Sequence, residues 1–558
     1  MPSFSGISIA LQSLLTQQQA IDVINHNVAN ANTTGYHRQE AVLSAGPTQE
    51  PPGYTNSTVM SQIGTGVVMN SIKRYNDTFT DTRYRAETAL SSQWTLENSV
   101  LKQVESTEAE TSTDGLSSKL DTFWAGWKAV STSPEDTALR TALLEDGKQV
   151  AQAFNTRFNS LTQIQSDLNN TVTQNVQEIN TLATQIAQLN SQISRYSTPA
   201  TQPNDFLDQQ SNYLDRLAQL AGAKITTESN GQIMVSIGGH MLVQGTQAQP
   251  LITKVDTTNN NFQTVQWADG QPYNPTAGEM VGLLDARDNV IAGEKTKLNN
   301  LAATVFSSVN QVHQTGYGLD DPVPASGSSG AAPTPPYPNY PITSGSGTNP
   351  LGRDFFVVSG NTANGYSSGW NADGTVSGSG FSYYLPMTNL AQTISVNSAL
   401  DNVRNIAVSQ DPQVAGDGRL AESIFLLQTN NTNMKQVNPA FTSGSYSAGP
   451  PVIGVNPLMN YVDPVSGNAV VDNIDKSNTQ RVTDMSLTIQ KSDTMASQHK
   501  NLMDALTKDR ESVNGVSLDE EAANLVKFQN SYNASIRMMT AVDSMLDKVI
   551  SSMGLVGR

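Results

Sequence analysis

The sequence predicts a mainly α-helical protein with a β-rich insert: paired N- and C-terminal coiled-coil helices, a long helical bundle domain, and outward-projecting β-rich domains. Three observations predict this fold class. Apolar residues near both ends recur at alternating steps of four and three, a helical pattern fills residues 133–194, and the middle of the chain is rich in Gly, Pro and Ser. With 558 residues, the chain is long enough for about three or four domains.

The two ends carry the clearest periodicity. A four–three alternation is typical of a coiled-coil seam, and Ser517-x-x-Glu520 predicts an N-cap for the last helix. The N-terminal row also includes the amides Gln18 and Asn25. The apolar members of the two rows, which we predict as an assembly interface, are Ile7, Leu11, Leu14, Ile21 and Val28, together with Leu525, Phe528, Tyr532, Met539, Val542, Leu546 and Val549.

The middle of the chain alternates between helical and irregular segments. Ser133-Pro134 predicts the start of a helix that runs to about residue 194, with Ser133 as its N-cap. Shorter helices are expected around 279–313, 417–429 and 477–512, and another at 204–221 that stops at Gly222. Residues 224–245 alternate as in a β-hairpin, with Asn230-Gly231 at the turn.

These patterns predict a nested set of domains. Residues 1–46 and 513–558 form the terminal coiled-coil domain, and 204–276 form a small helix plus β-hairpin domain. The helical rod domain takes 47–203, 277–320 and 386–430 with 473–512. Residues 321–385 and 431–472 are rich in Gly, Pro and Ser and are predicted to be a variable β outer region.

Composition excludes several classes of function. The net charge is −17 and no basic stripe is present, which argues against nucleic acid and anionic membranes as partners. Without cysteine there are no disulfides, thiolates or cysteine-based metal sites. No apolar run approaches the ~20 residues of a membrane helix. The first Lys or Arg is Arg38, so the N-terminus lacks the basic region of a secretory signal.

Enzyme chemistry has little support in the sequence. The five histidines are scattered, and the motifs of zinc proteases, nucleotide-binding loops and serine hydrolases are missing. The acidic run Asp519-Glu520-Glu521 lies in the first turn of a predicted helix, where carboxylates compensate the helix dipole. We therefore predict no enzyme activity, no catalytic, cofactor-binding or metal-binding residues, and no cofactor.

Four segments carry a resemblance to the hook-associated protein 1 family of flagellar axial proteins. The first runs from Asn27 to Gln39 (NVANANTTGYHRQ) and the second begins at Asn204 (NDFLDQ). The third, GLLDARD, begins at Gly282, with QVHQTGY downstream. The fourth, GVSLDEEAANL, begins at Gly515. Each segment is a weak signal alone, but their order and spacing are similar to those of the family.

The resemblance implies a structural subunit that joins hook and filament in a tubular assembly of the bacterial flagellum. It implies copies of the chain in a ring, hook protein on one side, another hook-associated protein on the filament side, an export chaperone, and export without a cleaved signal peptide. The family-motif residues are Asn27, Asn30, Asn32, Gly35, Tyr36, Asp519, Glu520 and Asn524. Two alternatives stay open: another secreted coiled-coil filament or adhesin subunit, and an axial protein with an embedded hydrolase insert.

Overall fold

The structure, a computed structural model, describes residues 2–47, 64–108, 114–197, 202–228, 232–313, 316–320, 354–358, 389–410, 414, 416–429 and 474–553. The chain divides into two compact units. The first consists of residues 1–96, 170–283 and 494–558, and the second of 97–169 and 284–493. The predicted class, mainly helical with small β elements, is confirmed.

The helices have the following bounds: α1 Pro2–Ala29, α2 Thr78–Glu108, α3 Leu116–Thr132, α4 Thr137–Tyr196, α5 Asn204–Ala221, α6 Glu279–Asp285, α7 Ile291–His313, α8 Leu390–Thr393, α9 Arg419–Phe425, α10 Ile474–Asn514 and α11 Leu518–Met553. A π-helical turn, Ala286–Val290, joins α6 to α7. Helices α2, α4, α6 and α10 contribute residues to both units.

The strands form small antiparallel sheets. Their bounds are β1 Gln39–Ala45, β2 Val67–Arg74, β3 Lys224–Thr227, β4 Ile233–Ile237, β5 His240–Gln244, β6 Gln247–Ala248, β7 Leu251–Asp256, β8 Phe262–Trp267, β9 Phe356–Val358 and β10 Ile394–Val396. Strands β1 and β2 pair from Gln39↔Arg74 to Ala45↔Val67. The order β3-β4-β5-β6 makes a four-stranded sheet, while β7-β8 and β9-β10 are two-stranded.

In the first unit, α1 and α11 pack along each other, and α1 also lies on β1 and β2. The pairing of the two chain ends therefore agrees with the predicted fold class. Ser517 caps α11 as the sequence indicates, because its hydroxyl accepts the backbone N–H of Glu520 at 3.4 Å. On α11 the predicted row is partly covered: Val542 is buried, Leu525 and Met539 are half-buried, and Val549 is exposed.

The row of α1 residues that faces the inside of the subunit is shifted by one position along the sequence from the predicted row. The row inside the subunit consists of Gly6, Ala10, Ser13, Gln17, Ala20, Ile24 and Asn27, all buried or half-buried. Ser13 and Ser535 share a hydrogen bond of 2.8 Å, and a Cβ at Gly6 would lie 3.5 Å from Cγ2 of Val542. Small residues let two helix axes approach closely, whereas the sequence pattern favoured the largest apolar residues. One residue along a helix is a rotation of about 100°.

Asparagine side chains on α4 hold the strands of the first unit. Asn180 donates to the backbone carbonyl of Leu251 at 2.8 Å and accepts the N–H of Leu251 at 2.8 Å. Asn190 donates to the carbonyls of Ile233 and Gly245 and accepts the N–H of Ile233. Each carboxamide thus donates to and accepts from the strand backbone in the way that a neighbouring strand would. Backbone N–H and C=O groups that would otherwise be unpaired therefore have hydrogen-bond partners.

The second unit has an aromatic core. The rings of Phe123, Trp127 and Phe355 lie within 6.1 Å of each other, centroid to centroid, and all three side chains are fully buried. Asn310 on α7 supports the segment that carries Phe355, since its side chain accepts the N–H groups of Phe355 and Phe356. The core therefore depends on a short segment, 354–358, that is distant in sequence from α3.

Several local predictions need correction or lie outside the described residues. Helix α4 begins at Thr137 and is capped by Asp136, which accepts the N–H of Ala138 at 2.8 Å, so Ser133 is not its N-cap. Residues 133–136 form a turn after α3 instead. Gly222 ends α5 with φ +60°, as predicted. The turn at 230–231, the 321–350 segment, 431–472 and most of 351–385 lie outside the described residues.

We predict that Trp127→Ala lowers the free energy of unfolding of the second unit by about 3–5 kcal/mol, because it empties the centre of the aromatic core. Trp127→Phe should cost less than about 1.5 kcal/mol, since the buried indole N–H has no hydrogen-bond partner among the described residues. Urea unfolding, with hydrogen exchange in α3 as the readout, measures the loss of unfolding free energy in both variants. Equal losses for the two variants would contradict this account.

Candidate assembly interface and the motif that positions it

Pairing of α1 with α11 leaves apolar side chains uncovered. Leu15 is 49% exposed and Ile550 is 69% exposed. The exposed large apolar residues of the two helices are Leu11, Leu15 and Val28 on α1 and Leu518, Val526, Ile536, Met538, Met545, Val549 and Ile550 on α11. A helix pair that covers only part of its apolar surface is suited to further helix contacts. These residues lie on more than one side of α11, and we refer to this uncovered apolar surface as a whole as the open face.

Asn27 closes the loop that follows α1. Its side-chain nitrogen donates to the carbonyl oxygen of Gln39 at 2.7 Å, and its oxygen accepts the N–H of Gln39 at 3.0 Å and the hydroxyl of Tyr36 at 2.8 Å. Burial, followed by the nearby carboxylates of Asp208, Asp205 and Glu521, raises the pKa of Tyr36. The hydroxyl therefore stays protonated and keeps donating.

Gly35 is required where the loop meets α5. Its φ of +76° lies in the left-handed region that favours glycine. A Cβ at this position would lie 1.7 Å from Oδ1 of Asn212. The backbone conformation therefore favours glycine here, whereas rotation of the exposed Asn212 side chain would relieve the contact.

A buried ion pair joins the same loop to the second family segment. The guanidinium of Arg74 donates to Asp208 Oδ1 at 2.6 Å, and the backbone N–H of His37 donates to Asp208 Oδ2 at 3.2 Å. His37 Nδ1 lies 2.8 Å from Asp208 Oδ1, and both side chains are nearly inaccessible. Asp208 thus fixes the start of α5 against the loop and β2.

Arg38 joins the loop to the start of α11. Its guanidinium lies 2.7 Å from Glu520 Oε2 and 2.9 Å from Glu521 Oε1, and its backbone N–H donates to the carbonyl of Asn514 at 2.8 Å. The side chain of Glu521 is only 2% exposed. The acids of the first helical turn therefore bind a cation from the N-terminal segment, in addition to compensating the helix dipole.

A second charge cluster connects α2, α5 and α10. Asp215 accepts hydrogen bonds from Arg85 at 2.6 Å and from Arg510 at 2.6 Å. Arg510 also lies 2.8 Å from Asp81. Charge-assisted hydrogen bonds between partly buried groups are stronger than neutral ones, so this cluster fixes α2, α5 and α10 on each other.

The predicted interface residues fall on different faces. Ile7, Leu14 and Ile21 are half-buried, while Leu11 and Val28 are exposed. Phe528, Tyr532 and Leu546 are half-buried on the side of α11 shared with Val542. The structure does not bring the two predicted rows together as one seam, because the covered row of α1 begins at Gly6. Their role as contacts between subunits stays a prediction.

The motif residues separate into inner and outer groups. Asn27, Gly35, Tyr36 and Glu520 take part in the contacts above. Asn30 donates to the carbonyl of His26 at 3.0 Å. Asn32 and Asp519 are exposed, and Asn524 is half-buried.

Sequence reasoning missed the charged partners that connect the segments. Asp208, Arg38 and Glu521 stand inside the quoted segments, but the patterns give no sign of which charges meet. Arg74 and Arg510 lie outside them. Because only 15% of the residues are charged, the presence of Asp208, Arg38 and Glu521 inside the quoted segments is the sequence signal that could have drawn attention to them.

Among the described residues, no three His, Asp or Glu side chains are grouped so that they could hold a metal ion. In the same part of the chain, no helix is long and apolar enough to cross a membrane.

Comparisons with known proteins agree with this geometry. Residues 101–328 match the model of the flagellar hook-associated protein FlgK helical domain. Residues 7–37 match the flagella basal body rod protein model, and 512–552 match the flagellar basal body rod FlgEFG protein C-terminal model. Flagellar hook-associated protein 1 of Bacillus subtilis (strain 168) is 26% identical over 100% of this chain and 99% of its own length. The chain belongs to the flagellar hook-associated protein 1 family.

Two further relatives extend the comparison. Flagellar hook-associated protein 1 of Salmonella typhimurium (strain LT2) is 24% identical over 98% of this chain and 99% of its own length. The flagellar hook junction protein FlgK from Burkholderia pseudomallei has a solved structure with a TM-score of 0.55, which covers 78% of this chain and 100% of that chain at 15% identity. The comparison with the solved FlgK structure shows a shared fold.

The terminal matches coincide with the α1–α11 pair. The 7–37 match ends inside the loop that Asn27 closes, and the 512–552 match spans the end of α10, Glu521 and nearly all of α11. Models of rod proteins thus match the part of this hook-associated protein 1 family member that carries the open face.

We predict that Asn27→Ala lowers the free energy of unfolding by about 2–4 kcal/mol, because it leaves the buried N–H and C=O of Gln39 unpaired. Asn27→Asp should be as damaging, since a carboxylate cannot donate to the Gln39 carbonyl. Thermal unfolding and hydrogen exchange in residues 30–40 measure the loss. Asn30→Ala, at the less buried neighbouring amide, is the control and should change stability by less than about 1 kcal/mol.

A second prediction concerns Arg38. Replacement by Ala leaves the buried Glu521 carboxylate without its cation and should cost about 3 kcal/mol, seen as faster hydrogen exchange in the first turns of α11. Arg38→Lys keeps the charge but not the two-carboxylate geometry, so it should restore only part of the protection. Unchanged exchange in Arg38→Ala would show that the pair does not hold α11.

Proposed function

We propose that the chain is a structural subunit of the bacterial flagellum that forms the junction between hook and filament. In this role the terminal helices of neighbouring copies pack together in a tubular assembly. The observation that carries the proposal is the open face of the α1–α11 pair. A folded subunit with this much uncovered apolar side chain on paired terminal helices needs neighbours to cover it.

The charge of the N-terminal helix supports contacts between identical copies. Residues 1–37 contain one formally charged residue, Asp22. In a tube, any charge on one copy faces the same charge on the next, and like charges about 10 Å apart in a poorly solvated wall repel by roughly 1–2 kcal/mol. Neutral Gln and Asn avoid this repulsion and can still donate and accept hydrogen bonds.

The proposal includes the partners and location that the resemblance implies. Copies of the chain form a ring, with hook protein on one side and another hook-associated protein on the filament side. An export chaperone protects the open face before assembly, because exposed apolar helices associate non-specifically. The chain leaves the cell without a cleaved signal peptide, acts in the flagellum, and has no enzymatic role.

The domain division predicted from the sequence is part of the same proposal. Residues 1–46 and 513–558 make the junction, with the rod domain and residues 204–276 supporting them. The predicted outer region, 321–385 and 431–472, is proposed to take no part in joining, with one exception to the predicted division: 354–358 belongs to the core of the second unit. The motif residue Asn32 stands at the exposed surface of the loop after α1, where a neighbouring copy could contact it.

We predict that Leu11→Asp with Leu15→Asp abolishes assembly without unfolding the subunit. Each charge enters a contact between copies, where its desolvation costs several kcal/mol, whereas in the free subunit both side chains are about half exposed to water. Cells that carry only this variant should lack filaments and release filament protein into the medium. Electron microscopy and gels of the culture supernatant measure both effects.

Leu487→Asp is the control, because Leu487 is an exposed leucine of α10 in the second unit, whereas the terminal helices belong to the first. It should leave filament number unchanged. Circular dichroism of the purified variants verifies folding. Normal filaments on cells with the double variant would contradict the proposed use of the open face.

A further inference from the structure

Helix α4 exposes a neutral stripe in the first unit. From 170 to 192 its exposed residues follow each other at steps of three and four, so they lie on one face of the helix. All of them are amides or threonines. The neutral stripe consists of Asn170, Gln174, Gln177, Thr181, Thr184, Gln188 and Gln192.

Charge is missing from this face, in contrast to the end of α10 in the same unit. The one charged residue between 170 and 192 is Glu178, and Arg216 of α5 neutralises it with hydrogen bonds of 2.7 and 2.9 Å. By contrast, the end of α10, 494–514, is rich in charge. Its charged residues are Lys500, Asp504, Lys508, Asp509, Arg510 and Glu511. Helix faces that are built for water normally carry such charges.

The two threonines of the stripe present methyl groups. The hydroxyl of Thr181 donates to the carbonyl of Gln177 at 2.9 Å, and that of Thr184 donates to the carbonyl of Asn180 at 2.9 Å. Because these donors are used within the helix, the face offers methyl groups between carboxamides. This mixture of apolar and neutral hydrogen-bonding groups suits a protein contact better than a solvated surface.

A shallow groove of about 430 Å³ runs beside the stripe. Its lining is also uncharged: Thr184, Ala187, Gln188 and Ser191 of α4 and Thr246 and Ala248 beside and on β6. The groove shares Thr184 and Gln188 with the stripe, whereas Asn170, Gln174, Gln177 and Thr181 form a ridge outside the groove. Because this ridge and the groove are different patches, a ridge of one copy that enters the groove of the next makes a head-to-tail contact, which can repeat around a ring.

We propose that the neutral stripe and its groove form a contact surface for a second copy of this chain. The proposal rests on the proposed function, because it requires assembly of copies. The charge balance favours an identical partner: two copies of net charge −17 repel each other except where their surfaces are neutral. A different partner selected by charge would face a charged surface instead.

Site-specific photo-crosslinking identifies the partner. The chain has no cysteine, so Gln188→Cys provides a unique thiol for a benzophenone maleimide. Irradiation of purified flagella should give a covalent dimer of the 59.8 kDa chain. Gln498→Cys, on an exposed position of α10, is the matched control and should give much less dimer. A conjugate with a different protein, or monomer only, from position 188 would overturn the proposal.

Added charge tests the energetic argument. Gln177→Glu with Gln188→Glu should reduce filament number about ten-fold or more, because like charges at a contact between copies are strongly unfavourable. Gln177→Ala with Gln188→Ala adds no charge and should retain most filaments. Gln498→Glu with Ala505→Glu adds the same charge on α10 and should assemble normally. Normal assembly of the Gln177/Gln188 glutamate variant would refute the contact.

The outcomes separate this proposal from the proposed function. If the chain is missing from purified flagella of cells that express it unaltered, the proposed function is wrong. If the chain is present but position 188 gives no dimer, the junction role stands and the neutral stripe has no second copy on it.

Discussion

The buried or half-buried asparagine carboxamide that pairs with a strand backbone is the interaction on which the rest of this fold depends. The sheets are small, so their edges leave N–H and C=O groups that burial would make costly. Asn27, Asn180, Asn190 and Asn310 each donate to and accept from such backbone groups. Helices are thereby fixed on strands without large sheets or disulfides, and a low-charge chain rich in amides obtains defined tertiary contacts.

At the candidate assembly interface, Asn27 makes this type of hydrogen-bonded contact. Closing the loop after α1 brings Arg38 to Glu520 and Glu521, and it brings His37 to Asp208. Segments that lie far apart in the chain thus meet around one loop. Because the charges are few and mostly paired, each pair selects one arrangement, and the terminal helices are held at a defined orientation while their open face remains available to neighbours.

Small residues divide the surface of α1 between inner and outer contacts. Gly6, Ala10, Ser13 and Ala20 permit a close approach to α11, which leaves the larger Leu11 and Leu15 outside. If the large apolar residues of α1 faced α11, the contact between the two helices would cover them inside the subunit. The arrangement that the chain adopts instead leaves these large apolar groups uncovered, where they are available for the contacts between copies that we propose.

Helical periodicity, the Ser517 cap and the Gly222 stop are local properties, and the sequence by itself determined them together with the pairing of the two ends and the family. Local patterns could not determine which face of α1 is covered. The row that begins at Ile7 and the row that begins at Gly6 both have four–three spacing, and they differ only by a rotation of about 100° around the helix axis. Nor could they identify Asp136 as the cap of α4 or Asp208 as the partner of Arg74. Those outcomes depend on contacts between residues far apart in sequence, where shape and desolvation select one partner among many of the same chemical type, and only the tertiary structure decided them.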